Sequence, residues 1–118
     1  MTTVDYSGLS KDKPMKSATV GIKKNTGRNN LGRITVRHRG GGVKRLYRQV
    51  DFKQDKFDVP GKVEGIEYDP YRSAFIMRVV YKDGDRRYHL AHSSAKAGDA
   101  VISSAKKAPL KPGNRMPL

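Results

Sequence analysis

Between Lys13 and Gln49 the chain carries eleven Lys or Arg residues and no Asp or Glu. They are Lys13, Lys16, Lys23, Lys24, Arg28, Arg33, Arg37, Arg39, Lys44, Arg45 and Arg48, and Gly21, Gly27, Gly32, Gly40, Gly41 and Gly42 stand among them. A solvated face mixes both signs of charge; this stretch has no counter-charge of its own and little apolar surface. Its few apolar contacts cannot offset the entropy lost on ordering, so alone in water it is expected to be an extended arm. A polyanionic partner would supply what is missing.

Composition narrows that partner. Lys plus Arg total 25 against 11 acidic residues, a formal net charge of +14 on 118 residues, which surrounds the chain with a positive field. The length suits one small domain. With only 36% hydrophobic residues, its core is marginally stabilised by its own burial. The absence of cysteine excludes a disulfide framework, a thiolate nucleophile and a cysteine zinc site, and fits a reducing compartment. No apolar run approaches the roughly 18 residues of a membrane span, and Met1–Ser10 lacks the apolar stretch of a secretion signal. The expectation is a soluble chain with no membrane partner.

From Arg45 the pattern changes to short runs of Val, Ile, Tyr and Phe between Gly, Pro and Asp, which predicts strands and turns. Five strands are expected: Arg45–Phe52, Lys62–Tyr68, Ser73–Lys82, Arg86–Ala91 and Asp99–Ser103. In the second, Val63 is out of phase with Ile66 and Tyr68, and a β-bulge at Gly65 is the simplest repair. The third has apolar residues on both faces and should be central. Asp83-Gly84 predicts a two-residue hairpin turn into the fourth. Lys106–Leu118, with three prolines, reads as an extended tail.

Five short antiparallel strands suit an all-β, five-stranded oligonucleotide-binding (OB) barrel better than a sandwich, with an SH3-like barrel as the alternative. The expected organisation is a basic glycine-rich arm over 1–44, an OB-fold barrel over 45–105 and the tail over 106–118.

Several motifs bear on chemistry. Arg28-Asn29-Asn30-Leu31-Gly32-Arg33 sets guanidinium and amide groups along a flexible backbone, suited to phosphates and base edges of folded RNA. Lys23 and Lys24 precede it in the same arm. In Arg37-His38-Arg39-Gly40-Gly41-Gly42 the glycines let backbone amides approach a phosphate, and Lys44, Arg45 and Arg48 continue the positive charge. A nucleotide loop is not expected, since no Gly-Lys-Ser or Gly-Lys-Thr ends the motif and a strand follows it. His89 and His92 fall on opposite strand faces with no carboxylate motif, so neither catalysis nor a metal is predicted; His38 is assigned to RNA. Tyr71, Tyr81 and Tyr88 could each stack on a base, but Tyr81 shares a face with Phe75, Met77 and Val79 and reads as core, whereas Tyr71, in a turn beside Arg72, is the better stacking candidate. Glu64 and Glu67, three apart on a bulged strand, are a weak basis for a nuclease or transferase.

Six blocks then carry a resemblance. They are Gly27-Arg28-Asn29-Asn30 with Gly32-Arg33-Ile34-Thr35; Arg37 to Gly42; Tyr47-Arg48 with Val50-Asp51-Phe52-Lys53; Glu67-Tyr68-Asp69-Pro70 with Arg72-Ser73-Ala74; Tyr81-Lys82-Asp83-Gly84 with Arg86-Arg87-Tyr88; and Lys111-Pro112-Gly113-Asn114 with Pro117-Leu118. In order and spacing they resemble the N-terminal half of the universal family of large-subunit ribosomal protein two, in its bacterial or organellar form. The resemblance implies an arm threaded into large-subunit ribosomal RNA, a barrel that also contacts RNA, and a scaffolding role without enzymatic activity, cofactor or small-molecule substrate. It implies support for assembly, subunit association and the peptidyl-transferase region. Carried onto matching positions, the RNA contacts are Arg28, Asn29, Asn30, Arg33, Arg37, His38, Arg39, Lys44, Arg48, Arg72, Arg86 and Arg87.

Val43 departs from the histidine that many relatives carry there. The family also continues into a second, SH3-like barrel. With the opening Met1-Thr2-Thr3, this leads to the expectation of a split protein in a mitochondrial ribosome, or else a bacterial-type one, with a separate chain carrying the C-terminal half beside other ribosomal proteins. A free-standing single-strand nucleic-acid chaperone with an OB-type barrel is the rival reading.

Overall fold

The computed structural model describes residues 3–22, 27, 29–34, 36–38 and 45–117. Among them the regular structure is β except for one 3-10 turn, Lys16–Ala18. The strands are β1 (Thr19–Gly21), β2 (Leu46–Arg48), β3 (Gly61–Glu67), β4 (Ile76–Tyr81), β5 (Arg86–Leu90) and β6 (Ala100–Val101). Four of them form one antiparallel sheet in the order β5-β4-β3-β6, and β1 pairs with β2 in a second. The larger sheet curls into a half-barrel of the OB type.

β4 occupies the centre because it is apolar on both faces: Ile76, Met77, Val79 and Tyr81 are all buried. Val63, Met77, Val79, Tyr81 and Val101 form the core cluster, with Val59, Ile66, Ala91 and Ala95 packed against it. The expected bulge is present: Val63 pairs with Val79 and Gly65 with Arg78, leaving Glu64 as the extra residue. That insertion lets Val63 and Ile66 both reach the core despite their odd spacing. Gly61 marks a close approach, since a Cβ there would lie 2.7 Å from the Val79 side chain.

Three expectations need correction. First, the hairpin between β4 and β5 has a three-residue loop. Tyr81 N–H donates to Asp85 O at 2.8 Å and Gly84 N–H to Tyr81 O at 2.9 Å, with only Gly84 at positive φ, +91°. Asp83 is freed to accept from Lys56 at 2.6 Å. Second, the run Arg45–Phe52 is strand only over Leu46–Arg48. Val50 makes an isolated parallel bridge to Tyr88, and Phe52, placed by its alternation on one face with Leu46 and Val50, is 60% exposed. Third, β1 lies before every predicted strand. Thr19, Val20 and Gly21 have no amphipathic pattern and bury little. They form a strand because the backbone of β2, about thirty residues on, offers partners, a signal no local window contains.

Towards the C-terminus, Asn114 Oδ1 accepts from Ile102 N–H at 3.1 Å, and Arg115 exchanges backbone bonds with Ile102 and Ser104. The segment after Lys106 thus folds back on the half-barrel.

One core pair should respond to pH. The Tyr81 hydroxyl lies 2.8 Å from His89 Nε2, both residues buried. Burial pushes the His89 imidazole below its ordinary 6.5; Asp51 opposes that and Arg87 adds to it. Below 6.5 the unfolded chain therefore takes up a proton that the folded chain refuses, so this contribution to stability is complete above 6.5 and is lost as pH falls through the folded value. The unfolding temperature should drop between about pH 7 and about pH 5. His89→Gln, which retains a polar partner for Tyr81, should flatten that part of the profile. Parallel profiles for the two proteins would contradict the assignment.

Candidate nucleic-acid interface

The basic arm is attached to the half-barrel at both ends. On its N-terminal side Arg78 Nη2 donates to Lys13 O at 2.7 Å and Met15 N–H donates to the Tyr88 hydroxyl at 2.9 Å. Tyr88 in turn donates to Glu67 Oε1 at 3.0 Å, and Arg78 Nε lies 2.8 Å from Glu67 Oε2. Glu67 is 5% exposed and Tyr88 0%. The anchor is therefore a charge-assisted network screened from water. The chain then turns through Lys16–Ala18, where Thr19 Oγ1 donates to Met15 O at 3.0 Å, and enters β1. On the far side β2 brings it back, with Gly21 opposite Leu46, and just beyond it Val50 bridges to Tyr88 and Asp51 N–H donates to Tyr88 O at 2.9 Å, which attaches that end to β5.

Of the sequence-predicted RNA contacts, Lys23, Lys24, Arg28, Arg39, Gly40, Gly41, Gly42 and Lys44 lie outside the described residues. Asn29 shapes its own loop: its Oδ1 accepts from the N–H groups of Leu31 and Arg33, both at 3.0 Å, and its backbone N–H donates to Arg33 O at 3.0 Å. Asn30, Arg33, Arg37 and His38 are exposed, and His38 has a positive φ of 60°. Arg48 is half-buried, with Nη1 donating to Leu46 O at 2.6 Å.

A second group gathers around the Asp69-Pro70 turn. The Arg45 guanidinium lies 5.7 Å from the centre of the Tyr71 ring, and Tyr71 meets Tyr47 edge to face at 5.6 Å. Arg72 lies 5.8 Å from the Tyr47 ring centre and 5.4 Å from that of Phe52. Asp69, 0% exposed, fixes the turn by accepting from Tyr71 N–H at 2.9 Å and Arg72 Nη1 at 2.5 Å. Burial works to lower the Arg72 pKa, but Asp69 and Tyr47 outweigh it and the net shift is upward. The sequence singled out Arg45, Tyr71 and Arg72 as candidate RNA contacts; the structure sets Tyr47 and Phe52, which the sequence did not single out, beside them. A Tyr and a Phe in a strand-like run look like core, and only the cation-rich neighbourhood hints otherwise.

Arg86 is exposed and paired with Glu64 at 3.1 Å. Arg87 sits among three carboxylates: Asp51 at 2.9 Å, Asp85 at 3.0 Å and Asp55 at 3.2 Å. These pairs, Asp51 first, raise its pKa well beyond the ordinary arginine range. Burial alone would raise the Asp51 pKa; the Arg87 guanidinium and the Gln54 N–H hold it below the usual carboxylate value instead. Lys56 likewise holds Asp83 and Asp85 low. Arg87 thus ties the segment after β2 to the β4–β5 hairpin. Glu64 and Glu67, the weak enzymatic candidates, are engaged by Arg86 and by the Arg78–Tyr88 anchor.

The arrangement offers a cationic arm attached at both ends, exposed at Asn30, Arg33, Arg37 and His38 among its described residues, with an aromatic and guanidinium surface beside its return strand. Residues 15–103 match the family described as Ribosomal Proteins L2, RNA binding N-terminal domain. Over 118 residues the chain is 58% identical to large ribosomal subunit protein uL2 of Allorhizobium ampelinum, 55% to that of Hyphomonas neptunium and 58% to that of Sinorhizobium fredii. Each comparison covers 100% of this chain and 42% of the relative, so the chain spans less than half the length of these bacterial proteins. With its half-barrel, its clamped basic arm and these matches, the chain belongs to the L2 family of ribosomal proteins, in the region of that family's RNA binding N-terminal domain.

Proposed function

We propose that this chain is a structural, non-catalytic constituent of the large ribosomal subunit that binds and stabilises large-subunit ribosomal RNA. In this role it supports assembly, subunit association and the peptidyl-transferase region, among other ribosomal proteins. The observation that carries the reading is the acid-free stretch from Lys13 to Gln49, fastened to the half-barrel at one end by the Glu67–Tyr88–Arg78 anchor and at the other by the bridge between Val50 and Tyr88. Fixing both ends lowers the entropy that RNA must overcome in ordering the arm. Residues 1–44 would act as the RNA-threading arm, 45–105 as the barrel and 106–118 as the tail. The contacts would come from the exposed arm residues together with Arg45, Arg48, Tyr71, Arg72, Arg86 and Arg87. A finer form, drawn from the resemblance to the bacterial or organellar family, places the chain in a mitochondrial ribosome.

The reading is tested by competition on the purified chain. Folded large-subunit ribosomal RNA should displace a labelled fragment of itself at concentrations at least about tenfold below those needed with poly(U), as expected where folded shape is recognised. Equal competition would instead favour a general single-strand binder.

A further inference from the structure

Arg45, Tyr71, Tyr47, Arg72 and Phe52 make a ladder in which each group faces the next at 5.4–5.8 Å. A long surface arginine ordinarily samples many rotamers; here Arg72 is held by the fully buried Asp69. The same carboxylate receives the Tyr71 N–H, so one buried charge sets both a ring and a guanidinium of the ladder. The ladder ends on Phe52, 60% exposed. A half-barrel short of apolar residues gains nothing in its own core from a phenyl ring left in water, whereas a flat apolar partner would cover it.

We infer that the Phe52 end of this ladder is a stacking platform for an unpaired nucleobase of the bound RNA. The inference rests on the RNA-binding reading and adds the ligand element and the residues. An unpaired base has an aromatic face open for stacking, while bases within a helix have theirs covered by neighbours. Both ring and guanidinium planes accept such a face. Arg45, exposed and in no ion pair among the described residues, is available to a phosphate at the other end of the ladder, while Arg72 and the buried Asp69 neutralise each other.

The test uses the full chain bound to purified large-subunit ribosomal RNA. Ultraviolet irradiation joins stacked bases to aromatic side chains, and mass spectrometry of the digest should find a nucleotide adduct on Phe52 or on Tyr71. Phe52→Leu should remove the Phe52 adduct and weaken binding roughly five- to a hundred-fold, the value of one stacked base. Its salt dependence should be unchanged, because no phosphate contact is lost. RNA retained with adducts confined to the arm, and Phe52→Leu binding like the parent, would overturn the platform while leaving the RNA-binding reading intact. Failure of the parent chain to bind the RNA at all would remove both.

Discussion

Replacing Glu67 by alanine is expected to destabilise the protein by about 3–5 kcal/mol, the range for removing one partner of a buried ion pair. Glu67 is 5% exposed and serves two groups at once, the Arg78 guanidinium at 2.8 Å and the Tyr88 hydroxyl at 3.0 Å. Without it a largely buried cation loses its counter-charge and a fully buried hydroxyl loses its acceptor, and each bears a desolvation cost that nothing nearby replaces. A small domain has roughly 5–15 kcal/mol in all, so the unfolding temperature should fall by well over 10 °C. Glu67→Gln, which can still accept from Tyr88, should lose less. Because Met15 N–H ends on the Tyr88 hydroxyl, Met15 amide exchange should accelerate in the alanine variant even below its unfolding temperature. A thermal melt of Glu67→Ala within about 2 °C of the parent would show that the anchor contributes little.

The second large effect is on RNA affinity. If roughly six to ten basic side chains meet phosphates, counterion release predicts that binding to large-subunit ribosomal RNA weakens about a thousand-fold or more between ~50 and ~200 mM salt. Arg33, Arg37 and Arg45 are exposed and appear in no ion pair among the described residues. Their combined replacement by glutamine should lower the slope of log affinity against log salt by about three, one for each phosphate contact. Arg87→Gln should behave differently. Three carboxylates already surround that guanidinium, so its loss should change the slope by less than Arg45→Gln does and lower the unfolding temperature more. Equal slopes for the parent and the triple variant would contradict a phosphate-bound arm.

What the sequence disclosed follows from where each signal is stored. β4 was legible because apolar residues on both faces of one run need only a short window, and the slip between Val63 and Ile66 announced its own bulge. The basic arm was legible from charge alone. Long-range pairing was not: β1 exists through β2, and neither Thr19 nor Val20 carries a local pattern that requires it. Glu67 and Arg78 were also hidden, because a charged residue in a strand reads as solvent-facing until its partner is known. Here each supplies the other's partner. Phe52 failed in the opposite direction, since alternation placed it on a shared strand face whereas the strand ends at Arg48.

The proposed role of this chain is that of an integral RNA-binding component of a large ribosomal subunit. The most direct measurement is sucrose-gradient sedimentation of a native lysate at high salt, with mass spectrometry of each fraction. The chain is predicted to travel with the large subunit. Recovery of the chain alone at the top of the gradient would contradict the account and favour a free single-strand chaperone.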